Sequence, residues 1–201
     1  KYPGVQQVTL VELDAHMTRL FANNPLLVQL NAGALNDPRV KVVNADAYTW
    51  LEGQREVFDV IVIDFPDPTN FALGKLYTTS FYQRADQALA AGGYMVVQTT
   101  SPLIARQSFW TVASTIEAVG LATTPLHVHV PSFGEWGFII AARRPWREPK
   151  ALPEGLRFLT LAGMPALLQF PPDMARLPAE VNRLSNQVLV HTFEDEWGRV
   201  H

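Results

Sequence analysis

Apolar residues fall in short strand-length runs, separated by stretches with helical spacing. Val8-Thr9-Leu10-Val11-Glu12-Leu13 is a β-branched apolar run that reaches a carboxylate, the pattern of a buried parallel strand. Asp14 then opens a helical stretch whose apolar positions are Met17, Leu20, Phe21, Leu26, Leu27 and Leu30. Asn23-Asn24-Pro25 interrupts that spacing and predicts a kinked helix or two short ones. After Asp37-Pro38, Val40-Lys41-Val42-Val43 reads as a short strand closing on Asn44-Ala45-Asp46, with a short helix over Tyr48 to Leu51. Phe58-Asp59-Val60-Ile61-Val62-Ile63-Asp64 follows, and its unbroken apolar centre predicts a central strand covered on both faces. Its terminal Asp is costly to bury unless it faces a cleft.

The second half continues the alternation. A loop from Phe65 to Lys75 leads to a helix from Thr79 to about Ala90, with Gly92-Gly93 as its C-terminal cap signal. Tyr94 to Gln98 is the next strand, and Gln107 to Val119 is an amphipathic helix stopped by Gly120. Strands at Leu126 to Val130 and Trp136 to Ala142 flank Pro131-Ser132-Phe133-Gly134 closely enough to form an antiparallel hairpin at the sheet edge. Strands alternating with helices and ending in a hairpin describe an α/β protein, doubly wound, with an open, mostly parallel sheet. Beyond Arg143-Arg144-Pro145-Trp146, seven prolines from Pro145 to Pro178 divide short apolar pieces. Residues 146–201 therefore read as a tail packed on a domain formed by residues 1–145.

Composition narrows the function. The 201 residues suit one domain, and 16 Lys and Arg against 19 Asp and Glu leave a net charge of −3, so nucleic acid is not an expected partner. The absence of cysteine excludes disulfide scaffolds, cysteine nucleophiles and thiolate zinc sites. No apolar run approaches the ~20 residues of a membrane-spanning helix. The chain starts at Lys1 without an initiator Met or a signal peptide and reads as a fragment of a longer protein.

In an open α/β sheet, ligands sit beyond the carboxyl ends of the parallel strands, and three of those ends carry acids: Glu12, Asp46 and Asp64. Glu12 suits the two hydroxyls of a ribose, which call for a bidentate acceptor. Asp46 can accept from an adenine amine while the small Ala47 leaves room for the ring, so the trio points to an adenosyl ligand. In Asp64-Phe65-Pro66-Asp67-Pro68, two carboxylates three residues apart in a proline-stiffened loop attract a cation and can take its proton, which suits an amine. The same residues also serve as ordinary turn formers. Gln98 ends a strand on the same side and could hydrogen-bond an amine or cap a loop. Tyr77 and Tyr82 open a helix, where aromatics either contact ligand or fill the core. His127 and His129 share a strand face without a carboxylate pattern to join them, so no metal is expected. Glu135-Trp136 can line an amine pocket or pack the sheet edge, and Glu194-Asp195-Glu196 reads as a solvated tail turn.

The order of these motifs resembles that of the spermidine synthases, the polyamine aminopropyltransferases. The resemblance rests on Val8 to Asp14, Asp37-Pro38-Arg39-Val40, Asn44-Ala45-Asp46-Ala47, Asp59 to Pro68, Leu76-Tyr77 with Phe81-Tyr82, and Gly92-Gly93 through Gln98. Phe65-Pro66 and Pro131 to Phe138 are similar to the bacterial branch whose full-length members carry an N-terminal multi-pass membrane region. The resemblance implies a class I methyltransferase-like Rossmann fold whose first strand and Gly-rich loop lie outside this chain. It also implies decarboxylated S-adenosylmethionine as co-substrate, no tightly bound cofactor, a diamine such as putrescine as acceptor, and a homodimer. A cytoplasmic domain of a protein embedded in the bacterial inner membrane is implied as well. By the same resemblance Asp64 is the catalytic proton acceptor, Asp67 helps bind the amine, and Glu12, Asp46 and Ala47 hold the nucleoside, while Gln98 and Tyr77 join the substrate-binding candidates from their own positions in the chain. The pattern departs where a nucleobase-contacting Pro of the family aligns near Phe71 and a substrate Tyr aligns near Pro131. Two rivals share the fold: a methyltransferase using intact S-adenosylmethionine, and a non-catalytic ligand-sensing domain of a membrane protein.

Overall fold

Asn24 decides the local path of the first helical stretch. Its side chain accepts from the amides of Leu26 and Leu27, while Pro25 supplies no amide and sits at the first helical position. The computed structural model, which describes residues 4–198, accordingly has two short helices there, α1 (Ala15–Asn23) and α2 (Pro25–Leu30). Asp14 caps α1 by accepting from the His16 amide at 2.7 Å. These helices connect β1 (Val8–Glu12) to β2 (Val40–Asn44), which pair in parallel from Val8–Val40 to Glu12–Asn44. Asn44 Nδ2 donates to the Glu12 carbonyl and to Thr18 Oγ1, both at 3.1 Å, tying the two strand ends to α1. Asp46 caps α3 (Ala47–Glu52) through the Thr49 amide at 3.1 Å. These elements make up the first of two compact units, residues 1–54.

The second unit, residues 55–201, is built on a four-stranded sheet. Its strands are β3 (Phe58–Ile63), β4 (Leu89–Gln98), β5 (Ala122–Val130) and β6 (Gly134–Ala142), in the order β3-β4-β6-β5. The β3–β4 pair is parallel, and the expected β5–β6 hairpin adds two antiparallel strands. Helices α4 (Phe71–Gly74), α5 (Thr79–Gln87) and α6 (Arg106–Glu117) fill the connections, and α7 (Met164–Leu167) and α8 (Val188–Trp197) belong to the tail. Met95 and Val97 are buried in the core with Phe81, Phe109 and Ile116, while Val96 and Gln98 alternate onto the other face. Along β3, Ile63 is buried and Val62 is 71% exposed.

Gly92-Gly93 is not a helix cap. Helix α5 ends at Gln87 and the chain passes directly into β4, where the pairing jumps from Phe58–Leu89 to Val60–Tyr94. This is a bulge, and Gly93 is needed in it because a β-carbon there would press on the Phe58 and Asp59 carbonyls. Glu196 is likewise no solvated turn. It lies on α8 and accepts from the Gln107 amide (2.7 Å), the Ser108 amide (2.9 Å) and the Ser108 hydroxyl (2.7 Å), so it caps α6 from the tail. Trp110 Nε1 donates to the Met174 carbonyl (3.0 Å), and Arg176 pairs with Glu117, extending the attachment of the tail to α6. No helix among the described residues is long and apolar enough to cross a membrane.

Candidate active site

The carboxyl end of β3 delivers Asp64 to an exposed position at the mouth of a groove of about 340 Å³. Gln98, at the carboxyl end of the neighbouring parallel strand, lines the same groove. The walls come from Val62 and Val96 and from the hairpin aromatics Phe133, Trp136 and Phe138. Phe133 and Trp136 stand 5.5 Å apart, ring centre to ring centre. Gln98 Nε2 donates to the Thr99 carbonyl at 3.2 Å, which turns its Oε1 into the remaining acceptor. A mostly apolar channel with a carboxylate and an amide oxygen at one end suits a methylene chain that carries an ammonium group.

The loop after β3 divides its residues between core and solvent. Phe65 turns inward, edge-on to Phe81 (5.4 Å) and Tyr77 (6.3 Å). The two prolines restrict the backbone, and Asp64 and Asp67 flank the inward segment. Asp67 is half-buried, and burial pushes its carboxyl above the ordinary value. Neither acid has a side-chain hydrogen bond or ion pair among the described residues. A half-buried carboxylate without a partner is costly in a purely structural role and is expected where a cation binds.

Tyr77 lies under this loop with 2% of its surface exposed. Its hydroxyl donates to the Pro66 carbonyl at 3.0 Å and also approaches that of Phe65 at 3.3 Å. Burial, followed by the Asp67 and Asp64 charges, raises this phenol well above its usual range and keeps it a donor. Tyr82 is fully buried, as core aromatics are.

Within the first unit, Glu12 and Asp46 stand at the carboxyl ends of the adjacent strands β1 and β2. Glu12 Oε1 accepts from the Asp14 amide at 2.9 Å, which orients the carboxylate and leaves its second oxygen to accept elsewhere. Asp46 combines the strand end with its helix-capping role, and Ala47 begins α3. Both Glu12 and Ala47 are half-buried.

Two features were missed in the sequence reading. His127 and His129 are joined by a carboxylate after all: Glu135 meets His127 Nδ1 at 2.8 Å and His129 Nδ1 at 3.2 Å, while His127 Nε2 meets the Gln169 carbonyl at 2.8 Å. The hairpin register, which sets His129 opposite Glu135, carried that signal. Asn182, fully buried in the tail, binds the segment that follows the acidic loop, and an Asn just beyond the last proline of the chain gave no hint of it.

Residues 1–148 match the spermine/spermidine synthase domain. Over its full length the chain is 46% identical to a polyamine aminopropyltransferase of Leptospira interrogans, of which it covers 40%. Over 98% of its length it is 49% identical to polyamine aminopropyltransferase 2 of Ralstonia nicotianae, of which it covers 39%. The chain thus spans about 40% of the length of these curated relatives. A spermidine synthase crystallised with the transition-state analogue AdoDATO superposes with a TM-score of 0.73 at 25% identity, over 85% of this chain and 60% of the other. The fold is the Rossmann-like methyltransferase fold of those enzymes. With the domain match, the identities across the whole chain and the shared fold all in agreement, the chain belongs to the spermine/spermidine synthase family.

Proposed function

We propose that this protein transfers the aminopropyl group of decarboxylated S-adenosylmethionine to a diamine such as putrescine, giving spermidine and methylthioadenosine. The observation that carries this reading is Asp64, an unpartnered carboxylate that lines an apolar groove with aromatic walls, followed three residues on by the half-buried and likewise unpartnered Asp67. An ammonium group has no lone pair and must lose a proton before it can attack. Asp64, at the groove mouth, takes that proton, a general-base role worth about 10²- to 10⁴-fold in rate. The amine nitrogen then forms a bond to the methylene carbon beside the sulfonium. The carbon–sulfur bond breaks, and its electron pair leaves a neutral thioether. The positive charge moves from sulfur to nitrogen, so no oxyanion hole is required.

Asp67 attracts the cationic amine, and Gln98 Oε1 accepts from it. Tyr77 serves the substrate indirectly, through the loop, since its hydroxyl is committed to backbone carbonyls. Glu12 takes the ribose hydroxyls, and Asp46 with Ala47 takes the adenine. The co-substrate binds and leaves in each cycle, and no tightly bound cofactor or metal is required. By family resemblance the protein works as a homodimer, and this chain is the cytoplasmic catalytic portion of a protein held in the inner membrane, with residues 1–145 forming the Rossmann-like catalytic domain and 146–201 the tail packed on it. Calorimetric titration tests the reading. Tighter binding of decarboxylated S-adenosylmethionine or methylthioadenosine than of S-adenosylhomocysteine supports it, and preference for S-adenosylhomocysteine identifies a methyltransferase instead.

A further inference from the structure

Asn182 lies in the tail, outside residues 1–148 that match the family domain, and is fully buried. Its Nδ2 donates to the carbonyls of Gly74 (3.3 Å) and Tyr77 (3.1 Å), and its Oδ1 accepts from the Leu189 amide at the start of α8 (3.2 Å). Its backbone carbonyl accepts from the Thr79 amide at 3.1 Å, and its own amide donates to Thr115 Oγ1 on α6 at 2.9 Å. The side chain and backbone of one residue thus bind both ends of the short segment 74–79 and fasten it to two helices. Tyr77 is in the middle of that segment, and its hydroxyl reaches the Phe65–Pro66 backbone, between the two acids. Gly74 is packed so closely against Val190 and Gln187 of the tail that a β-carbon there would collide with both.

We propose that Asn182 and Tyr77 are positioning residues that hold the Asp64–Asp67 loop in its amine-receiving geometry, so that the tail is part of the catalytic apparatus. The chain of contacts runs from α8 through Asn182 to the Tyr77 backbone, and from the Tyr77 hydroxyl to Phe65 and Pro66. A displacement of about 1 Å in a catalytic group can cost about 10²-fold in rate, so a buttress of this kind acts on turnover without touching substrate. This role rests on the proposed aminopropyl transfer. The buttressing itself can be measured without it.

The test compares Tyr77→Phe and Asn182→Ala with Tyr82→Phe in the full protein. Tyr82 provides a matched control, because its buried hydroxyl has no hydrogen-bond partner and deleting it leaves the loop alone. Hydrogen exchange at the Thr69 amide, which donates to the Asp67 carbonyl across the acidic loop, should quicken about tenfold or more in Tyr77→Phe and stay at the wild-type rate in Tyr82→Phe. In steady state, Tyr77→Phe should lower kcat about tenfold and raise the amine KM, with methylthioadenosine affinity unchanged. Asn182→Ala should repeat that pattern, and the double variant should lose little more than the worse single one. Wild-type exchange in Tyr77→Phe, or equal kinetic losses in Tyr77→Phe and Tyr82→Phe, would overturn the proposal. If the wild-type protein transfers no aminopropyl group, the functional reading fails while the exchange comparison still decides the buttress.

Discussion

Glu196 on the last helix accepts from both the amide (2.9 Å) and the hydroxyl (2.7 Å) of Ser108, supplying α6 with the cap that Ala105 lacks. Replacing it removes acceptors from amides that are partly buried. Glu196→Ala should therefore cost about 1–2 kcal/mol of stability, the range of a lost N-terminal cap. Thermal unfolding measures this. An unchanged midpoint would mean that solvent caps α6 equally well.

Asp64→Asn separates proton transfer from binding. If Asp64 is the base, kcat should fall by about 10²- to 10⁴-fold, with a much smaller change in affinity for the adenosyl ligand. A variant retaining the wild-type rate would remove Asp64 from the mechanism.

Burial raises the Asp67 carboxyl, which gives stability and binding opposite pH dependences. A carboxyl raised in the folded state contributes stability at pH below its unfolded value and loses it as pH rises through the folded value. At pH 7 the ionised group is therefore a burden, and Asp67→Asn should raise the melting temperature, with the gain disappearing in acid. If Asp67 receives the amine, binding needs its carboxylate and should weaken as the pH falls through that raised range. A lower melting temperature for Asp67→Asn at pH 7 would refute this account.

The Glu117 carboxyl lies below its usual value, chiefly through its hydrogen bond to Arg176, assisted by Thr123. A lowered carboxyl contributes stability above its unfolded value and loses it as pH falls through the folded one. The pair is about one-third to one-half exposed, so its worth is at most about 1 kcal/mol. Glu117→Gln should show a small loss of stability at pH 7 that closes in acid. A loss that persists in acid would assign the effect to packing against Thr123.

Local chemistry explains what was legible in the sequence. The Asn24-Pro25 break, the helix opening at Asp14 and the β5–β6 hairpin depend on residues close in sequence and were visible there, whereas Asp46, read only as a strand-end acid, also caps α3. Gly92-Gly93 was misread because a glycine pair signals a helix end and a strand bulge equally well. Only the approach of the Phe58 and Asp59 carbonyls decides between them. Glu196 and Asn182 were illegible as anything but tail residues, since their partners lie 88 and 105 residues away. At the candidate site, the acids at strand ends could be named in advance, whereas the Tyr77 hydroxyl, turned toward backbone carbonyls, required the folded loop to be seen.

Aminopropyl transfer is tested most directly by incubating the protein with putrescine and either decarboxylated or intact S-adenosylmethionine, then analysing the products by mass spectrometry. The account predicts equal amounts of spermidine and methylthioadenosine from the decarboxylated substrate, no methylated amine from the intact one, and loss of product in Asp64→Asn. A methylated amine with S-adenosylhomocysteine, or no spermidine from the wild-type protein, would contradict it.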